Sequence, residues 1–242
     1  VSIPVGLLAV ALPAALARVA FRRPSLRTAS IGLLAAALPF AILAGSSILY
    51  DRVDVLMLAH LSSARSVGVY SAADRLVEGL LVIPAGIGAA LYPSLANDPG
   101  RAWVHLRTLF RWALPLGLAI TLLCLGPGAV LISILYGSEY GGIDGAFRLL
   151  CWTVLLESAT VPLAYLLQAQ SRMLAAVAAT SFGLLVNVLL NLALIPRFSY
   201  RGASISASLA ELAVLIALCV LILADHFGWT QRLSAGRREV IQ

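Results

Sequence analysis

The chain has 242 residues, of which 61% are hydrophobic and 12% are charged, and its mean hydropathy is +0.96. Soluble domains average about 45–50% apolar and about 25% charged residues, so this composition excludes an ordinary soluble protein. The formal net charge of +6 does not indicate nucleic-acid binding. The arginines lie in short loops between apolar segments, where membrane proteins carry their orientation signal.

Apolar segments long enough to cross a membrane recur along the whole chain. A helix needs about 20 mainly apolar residues to span the hydrocarbon core. The chain begins inside apolar sequence without a charged leader, so we expect residues 1–28 to be the end of a preceding helix and its loop. We predict an all-α membrane bundle, with a six-helix lobe at 29–226, a cytoplasmic tail at 227–242, and spans at residues 3–20, 31–61, 69–95, 109–136, 146–168, 174–195 and 203–224.

Residues 101–112 have a more amphipathic pattern than the spans. Arg107 and Arg111 share one helical face, whereas Trp103, Leu106 and Leu109 fall largely on the other. This pattern predicts a helix that lies along the cytoplasmic interface before the next span begins.

The distribution of arginine predicts the orientation of the chain. Loops on one side, together with the C-terminal tail, carry ten arginines, whereas the loops on the other side carry only Arg65, Arg197 and Arg201. Cytoplasmic loops are enriched in basic residues, so we predict that the arginine-rich side and the C-terminus are cytoplasmic.

Two neighbouring spans contain charged residues at membrane depth, in the segments 51–54 and 74–78. Each such group costs roughly 2.5–3.5 kcal/mol on insertion scales, so these residues need partners or a polar lining. A hairpin that turns around residues 63–66 places Asp54 opposite Arg75 and Arg52 opposite Glu78, with Asp74 on the same stripe as Glu78. The charges form either a salt-bridge cluster that locks the hairpin or the wall of a water-filled cavity.

Several further polar residues lie within the apolar spans. Asn187 and Asn191 are four residues apart and share one face, where they serve as interhelical hydrogen-bond partners or as oxygen ligands for a cation. Glu157 and Glu211 are single acids in later spans, and either carries a coupling proton or is simply hydrogen-bonded. The sequence contains no catalytic, metal-binding or cofactor-binding motif, so we expect neither an enzyme nor a bound cofactor.

Four segments in combination resemble the C-terminal half of the Wzx-type polysaccharide biosynthesis flippases, which belong to the multidrug/oligosaccharidyl-lipid/polysaccharide exporter superfamily. They are YDRVDVLMLA at 50–59, VGVYSAADRLVE at 67–78, IP at 83–84 with LYPSL at 91–95, and NLALIPRF at 191–198 before RGASIS at 201–206.

The resemblance implies a fold and a function. Members of this family have two six-helix lobes around a central cavity, and they move an undecaprenyl-diphosphate-linked oligosaccharide across the bacterial inner membrane. On that pattern the chain corresponds to one lobe, and the N-terminal lobe that would pair with it is missing from the sequence. The resemblance also implies that the protein contacts membrane lipid and uses Na⁺ or H⁺ as its coupling ion. The substrate cavity would then include Arg52, Asp54, Asp74, Arg75 and Glu78.

The resemblance also implies a cation site. In the lipid II flippase branch of the superfamily, an acid on one helix and two side chains four residues apart on another helix serve to bind a cation. Asp54, Asn187 and Asn191 match these positions approximately, with Asn191 where that branch has an acid. Alternative functions are a multidrug/cation antiporter of the same superfamily, a membrane glycan polymerase or ligase, and a lobe that scaffolds other glycan enzymes.

Overall fold

A computed structural model describes residues 50, 52–97, 102–126, 132 and 142–226. These residues form six helices and no strand: α1 at 52–61, α2 (Ala64–Asn97), α3 (Ala102–Leu125), α4 (Ile143–Ala169), α5 (Met173–Phe198) and α6 (Tyr200–His226). The all-α prediction is therefore confirmed. The expected span at 3–20, the loop that follows it and the tail at 227–242 lie outside the described residues.

Five of these helices are long and apolar enough to cross a membrane: Ala64–Leu95, Trp103–Leu125, Ile143–Ala169, Met173–Phe198 and Tyr200–Ala224. The prediction of a polytopic membrane bundle is confirmed. The chain divides into two compact units, Val1–Val53 and Asp54–Gln242, and the bundle described below belongs to the second unit.

Helix α4 is the central helix of the bundle. It packs against α2, α3 and α6, and α5 packs mainly against α6. In its membrane span 61% of the residues are buried, compared with 22–33% in the other four spans. The bundle therefore buries α4 on several sides and leaves the outer faces of the remaining helices to lipid, to water or to another part of the protein.

Contacts along α4 fix the directions of its neighbours. The start of α4 at Gly142 approaches both Val69 of α2 and Tyr200 of α6, so these three helices begin at the same end. Helix α3 runs in the opposite direction, because Thr121 donates to the Cys151 carbonyl oxygen (3.2 Å) while Gly117, one turn earlier, touches Ser158.

Short turns close two helical hairpins at this shared end of the bundle. Residues 62–63 connect α1 to α2, and Ser199, which has a left-handed backbone (φ 54°), connects α5 to α6. With ψ at −132° this backbone region is sparsely populated by non-glycine residues, at a cost on the order of 1–3 kcal/mol. The Ser199 hydroxyl offsets this cost, because it lies 2.7 Å from the hydroxyl oxygens of both Ser62 and Ser66. We call this shared end the Ser199 end.

The opposite end of the bundle carries the turn between α4 and α5. Ser171 is the other left-handed residue there (φ 58°), and Arg172 donates to the Leu221 carbonyl oxygen near the end of α6 (3.5 Å). Arg65, Arg197 and Arg201 therefore lie at or near the Ser199 end and Arg172 lies at the other. This separation matches the grouping of loops predicted from arginine content.

One predicted element is wrong. Residues 101–112 do not form a separate interfacial helix, because α3 continues without interruption from Ala102 to Leu125. Leu106 and Leu109 are buried, and Ala113 and Ile120 extend the same buried stripe along α3. The apolar period does not change after residue 112, so nothing in the pattern breaks the helix there.

The orientation of the bundle can be tested with single cysteines at its two ends. Ser63 and Ser171 are exposed serines in turns at opposite ends. The arginine distribution predicts that Ser171 lies on the cytoplasmic side. In intact cells, a membrane-impermeant maleimide should therefore label Ser63→Cys and should label Ser171→Cys only after permeabilisation. The reverse pattern would contradict the orientation.

Candidate functional site

A deeply buried polar cluster joins helices α1, α2 and α5. It consists of Asp54, Tyr70, Asn187 and Asn191, whose exposed fractions are 6%, 2%, 2% and 0%. Each residue lies within a mainly apolar helix and is shielded from solvent. A carboxyl group in such surroundings requires hydrogen-bond partners within the protein.

Both oxygens of the Asp54 carboxyl group accept a hydrogen bond. Asn191 Nδ2 donates to Asp54 Oδ1 (2.5 Å) and to Asn187 Oδ1 (2.7 Å), and the Tyr70 hydroxyl donates to Asp54 Oδ2 (2.9 Å). The Asn191 Oδ1 atom is also buried, but it has no hydrogen-bond partner in the described part of the chain. The Asn191 amide therefore bridges two acceptors while its own acceptor is unsatisfied.

Parallel packing of α1 and α5 places these residues together. Asp54 bonds to Asn191, and Ser62 bonds to Ser199 eight residues further along both helices. The two helices therefore keep one register between the cluster and the Ser199 end. On α5, Asn187 and Asn191 continue a buried stripe formed by Ala176, Ala179, Gly183 and Ile195.

The arrangement is suited to a small hard cation or a proton. The two partners of Asp54 described above, Tyr70 and Asn191, are neutral hydrogen-bond donors. Carboxylate and amide oxygens are the ligands that hard cations prefer. The Asn191 amino group lies between the oxygens of Asp54 and Asn187, where a cation would also lie. If the Asn191 amide turned over, it would replace this amino group with a third oxygen.

The predicted proximity of Asp54, Asn187 and Asn191 is therefore observed, whereas their function as a cation site stays a prediction. Within the described residues no group of three or more His, Cys, Asp or Glu side chains is placed to hold a metal ion.

The predicted pairing of Asp54 with Arg75 is not observed. The turn lies at residues 62–63 rather than 63–66, and α2 already begins at Ala64. This earlier start moves α2 by about one turn, so that Tyr70 rather than Arg75 lies beside Asp54. Arg75 is exposed, and Asp74 and Glu78 are half-buried.

Arg52 is also exposed, but it belongs to the first unit of the chain. Its pairing with Glu78 stays a prediction, and so does the contribution of Arg52, Asp74, Arg75 and Glu78 to a substrate cavity.

Tyr70 is the member of the cluster that the sequence analysis missed. It belongs to the buried stripe of α2, which continues through Ala73, Val77 and Leu81. A tyrosine on a buried stripe needs a partner for its hydroxyl. With a turn at residues 62–63, that partner would have been identifiable as Asp54.

Loss of the Tyr70 hydroxyl should destabilise the protein. In Tyr70→Phe one oxygen of the buried carboxyl group loses its donor, and a hydrogen bond to a charged group contributes about 1.5–3 kcal/mol. We expect a lower midpoint of thermal unfolding in detergent. Tyr92→Phe is the matched control, because Tyr92 contacts the Tyr165 ring (5.3 Å between centroids) and its hydroxyl has no hydrogen bond among the described residues. Equal midpoints for the two variants would show that the hydroxyl contributes nothing.

Comparison with protein families places the chain among membrane transporters. The MatE family model matches residues 39–193, and this match includes all four residues of the buried cluster. Comparison with curated proteins gives no significant match. The family match agrees with the five membrane-spanning helices and with a transport function in the multidrug/oligosaccharidyl-lipid/polysaccharide exporter superfamily. Because the match covers more than half of its length, the chain belongs to the MatE family of membrane exporters.

Proposed function

We propose that this exporter moves a lipid-linked oligosaccharide across the bacterial inner membrane and that Na⁺ or H⁺ binding at Asp54 drives the movement. The observation that carries the proposal is the buried Asp54–Asn187–Asn191 cluster. It supplies a carboxylate and two amides in one place inside a membrane bundle. Ionisable residues within membrane spans commonly mark ion pathways and coupling sites.

Cation binding would change the contacts between α1 and α5. In the present geometry Asn191 donates to Asp54 and holds the two helices together. A bound cation would be attracted to the Asp54 carboxylate and to the carbonyl oxygens of both amides, so the Asn191 donor would have to turn away. Binding therefore replaces direct hydrogen bonds with ion contacts at the junction of α1 and α5.

The preference for an anionic substrate is supported by Arg75 and its surroundings. Arg75 lies on an exposed stripe of α2 that continues through Gly79, Val82 and Gly86. A Cβ added at Gly79 or Gly86 would meet nothing within 4 Å, so this face is open. A guanidinium group stays ionised and binds phosphate oxygens in a bidentate fork. We infer that this face of α2 lines the substrate cavity and that Arg75 holds the diphosphate of the lipid carrier.

A multidrug/cation antiporter of the same superfamily is the second candidate, and the family match is equally consistent with it. The hydrogen bonds around Asp54 favour this alternative, because Asp54 accepts from Tyr70 and Asn191 and not from Arg75. A carboxylate with neutral donors is suited to exchanging a cationic drug for a cation.

Cation binding should depend on Asp54. The test replaces a large organic cation with Na⁺ at constant ionic strength. Na⁺ should raise the midpoint of thermal unfolding of the wild-type protein. It should not change the midpoint of Asp54→Asn, because this variant lacks the carboxylate charge. Asp144→Asn is the control, because Asp144 is an exposed acid that pairs with Arg148 at 2.9 Å in the first turn of α4. The same Na⁺ response in Asp54→Asn and in the wild type would rule out this cluster as the Na⁺ site.

Substrate export should depend on Arg75. In cells that rely on this exporter, Arg75→Ala should reduce surface glycan at least about tenfold, since loss of one hydrogen-bonded charge contact costs about 1.5–3 kcal/mol. Arg75→Lys should restore only part of the export, because lysine keeps the charge but lacks the fork.

Arg65→Ala is the matched control, since Arg65 is an exposed arginine in the first turn of the same helix. All variants must reach the membrane at normal levels. Normal glycan export in Arg75→Ala, together with loss of drug resistance in Asp54→Asn, would replace the flippase proposal with the antiporter.

A further inference from the structure

A second buried carboxyl group lies between α4 and α6, away from the Asp54 cluster. Thr160 of α4 donates its hydroxyl hydrogen to Glu211 Oε1 of α6 at 2.6 Å. Thr160 is 5% exposed and Glu211 is 7% exposed, so the pair is as deeply buried as the Asp54 cluster. None of the contacts proposed for cation coupling or substrate binding uses either residue.

Glu211 lies near the middle of the bundle. Asn187 precedes the Ser199 turn by twelve residues and Glu211 follows it by twelve. At 1.5 Å per residue, both residues lie about 18 Å from the turn along their helices. Asp54 bonds to Asn191, which lies eight residues or about 12 Å from the turn, so Glu211 is about one helical turn further from the Ser199 end than Asp54 is.

The charged residues of the helices that pack against α6 can be placed relative to Glu211 within the described part of the chain. On α4 the ionisable neighbour is Glu157, which is half-buried and whose carbonyl oxygen lies 3.5 Å from the Thr160 hydroxyl. On α5, residues 183–191 contain no ionisable side chain, and the same is true of residues 80–88 on α2. Ser66 of α2 contacts Ser199, so Glu78, twelve residues further along α2, lies at the same count from the Ser199 end as Glu211, with Asp74 and Arg75 about one turn nearer to that end. Arg172 at the start of α5 lies at the opposite end.

The Thr160 hydroxyl can serve Glu211 in both of its protonation states. It donates a charge-assisted hydrogen bond to the carboxylate, and it donates equally to the carbonyl oxygen of the protonated acid. A permanently ionised carboxylate at this depth would be costly, whereas a carboxyl group that binds a proton is neutral while it holds the proton. The contact therefore lets a proton bind and leave without breaking the link between α4 and α6.

We propose that Glu211, positioned by Thr160, is a proton-binding site of this lobe and is separate from the Asp54 site. The ligand is a proton delivered by water. One O–H bond forms on the Glu211 carboxylate, one O–H bond of hydronium breaks, and nothing is oxidised or reduced. This inference does not depend on which substrate the exporter carries.

Infrared difference spectroscopy of the protein in lipid nanodiscs tests this site directly. A switch from mildly alkaline to mildly acidic buffer should produce the C=O stretching band of a buried protonated carboxylic acid. Glu211→Gln should lose this band. Thr160→Val should keep the band at a higher frequency, because the C=O group no longer accepts the hydroxyl hydrogen bond.

Thr153→Val is the matched control for Thr160→Val. Thr153 is a buried threonine on the same helix. The Thr153 hydroxyl contacts the carbonyl oxygen of Leu150 (2.6 Å), three residues earlier, just as the Thr160 hydroxyl contacts the carbonyl oxygen of Glu157. The spectrum of Thr153→Val should match that of the wild type. Asp54→Asn should also keep the Glu211 band, and this result distinguishes the Glu211 site from the Asp54 site. An unchanged pH-difference spectrum in Glu211→Gln, or the same band frequency in Thr160→Val and Thr153→Val, would overturn the proposal.

Discussion

The need to satisfy a carboxyl group inside an apolar bundle determines how this lobe is assembled. Asp54 obtains its donors from two other helices, Tyr70 of α2 and Asn191 of α5, so one residue of α1 ties three helices together at a single point. Removing any one partner leaves a buried polar atom unsatisfied, at a cost of about 1–3 kcal/mol. On the proposed mechanism, a cation would compete for the oxygens that the Asn191 amino group now bridges.

On the proposed mechanism, the serine contacts would convert this local event into a movement of whole helices. Ser199 links the turn between α5 and α6 to the turn between α1 and α2, and Asp54 and Asn191 link α1 to α5 eight residues away. If the cluster rearranges while the serines hold, α1 would pivot against α5 around the Ser199 end. Among the five spans, α4 buries the largest share of its residues, so it would be the stationary part of that motion. The Thr160–Glu211 contact joins α4 to α6, so a proton bound there would act on these two helices rather than on the junction of α1 and α5.

Much of the lobe could be predicted from the sequence, because apolar length and the spacing of polar residues have direct physical consequences. The spans α2, α4, α5 and α6 follow from length alone, and Asn187 and Asn191 had to point inward because amides facing lipid are costly. The partner of Asp54 was not predictable in the same way. A difference of one or two residues in the position of the turn shifts α2 by a helical turn, and this shift exchanges Arg75 for Tyr70 beside Asp54. Tertiary packing also decided that residues 101–112 continue into α3, since Leu106 and Leu109 pack into the bundle rather than into an interface.

The central claim is that a cation replaces the Asn191 amino group between Asp54 and Asn187. A crystal structure of the protein grown with Tl⁺ in place of Na⁺ tests it most directly, because the anomalous signal of Tl⁺ locates the ion independently of the protein atoms. We predict an anomalous peak within coordination distance of the Asp54 carboxylate and the Asn187 carbonyl oxygen, with the Asn191 amide turned so that Oδ1, now without a partner, faces the ion. If Asn191 Nδ2 still donates to Asp54 at saturating Tl⁺ and no peak lies in the cluster, the account is contradicted.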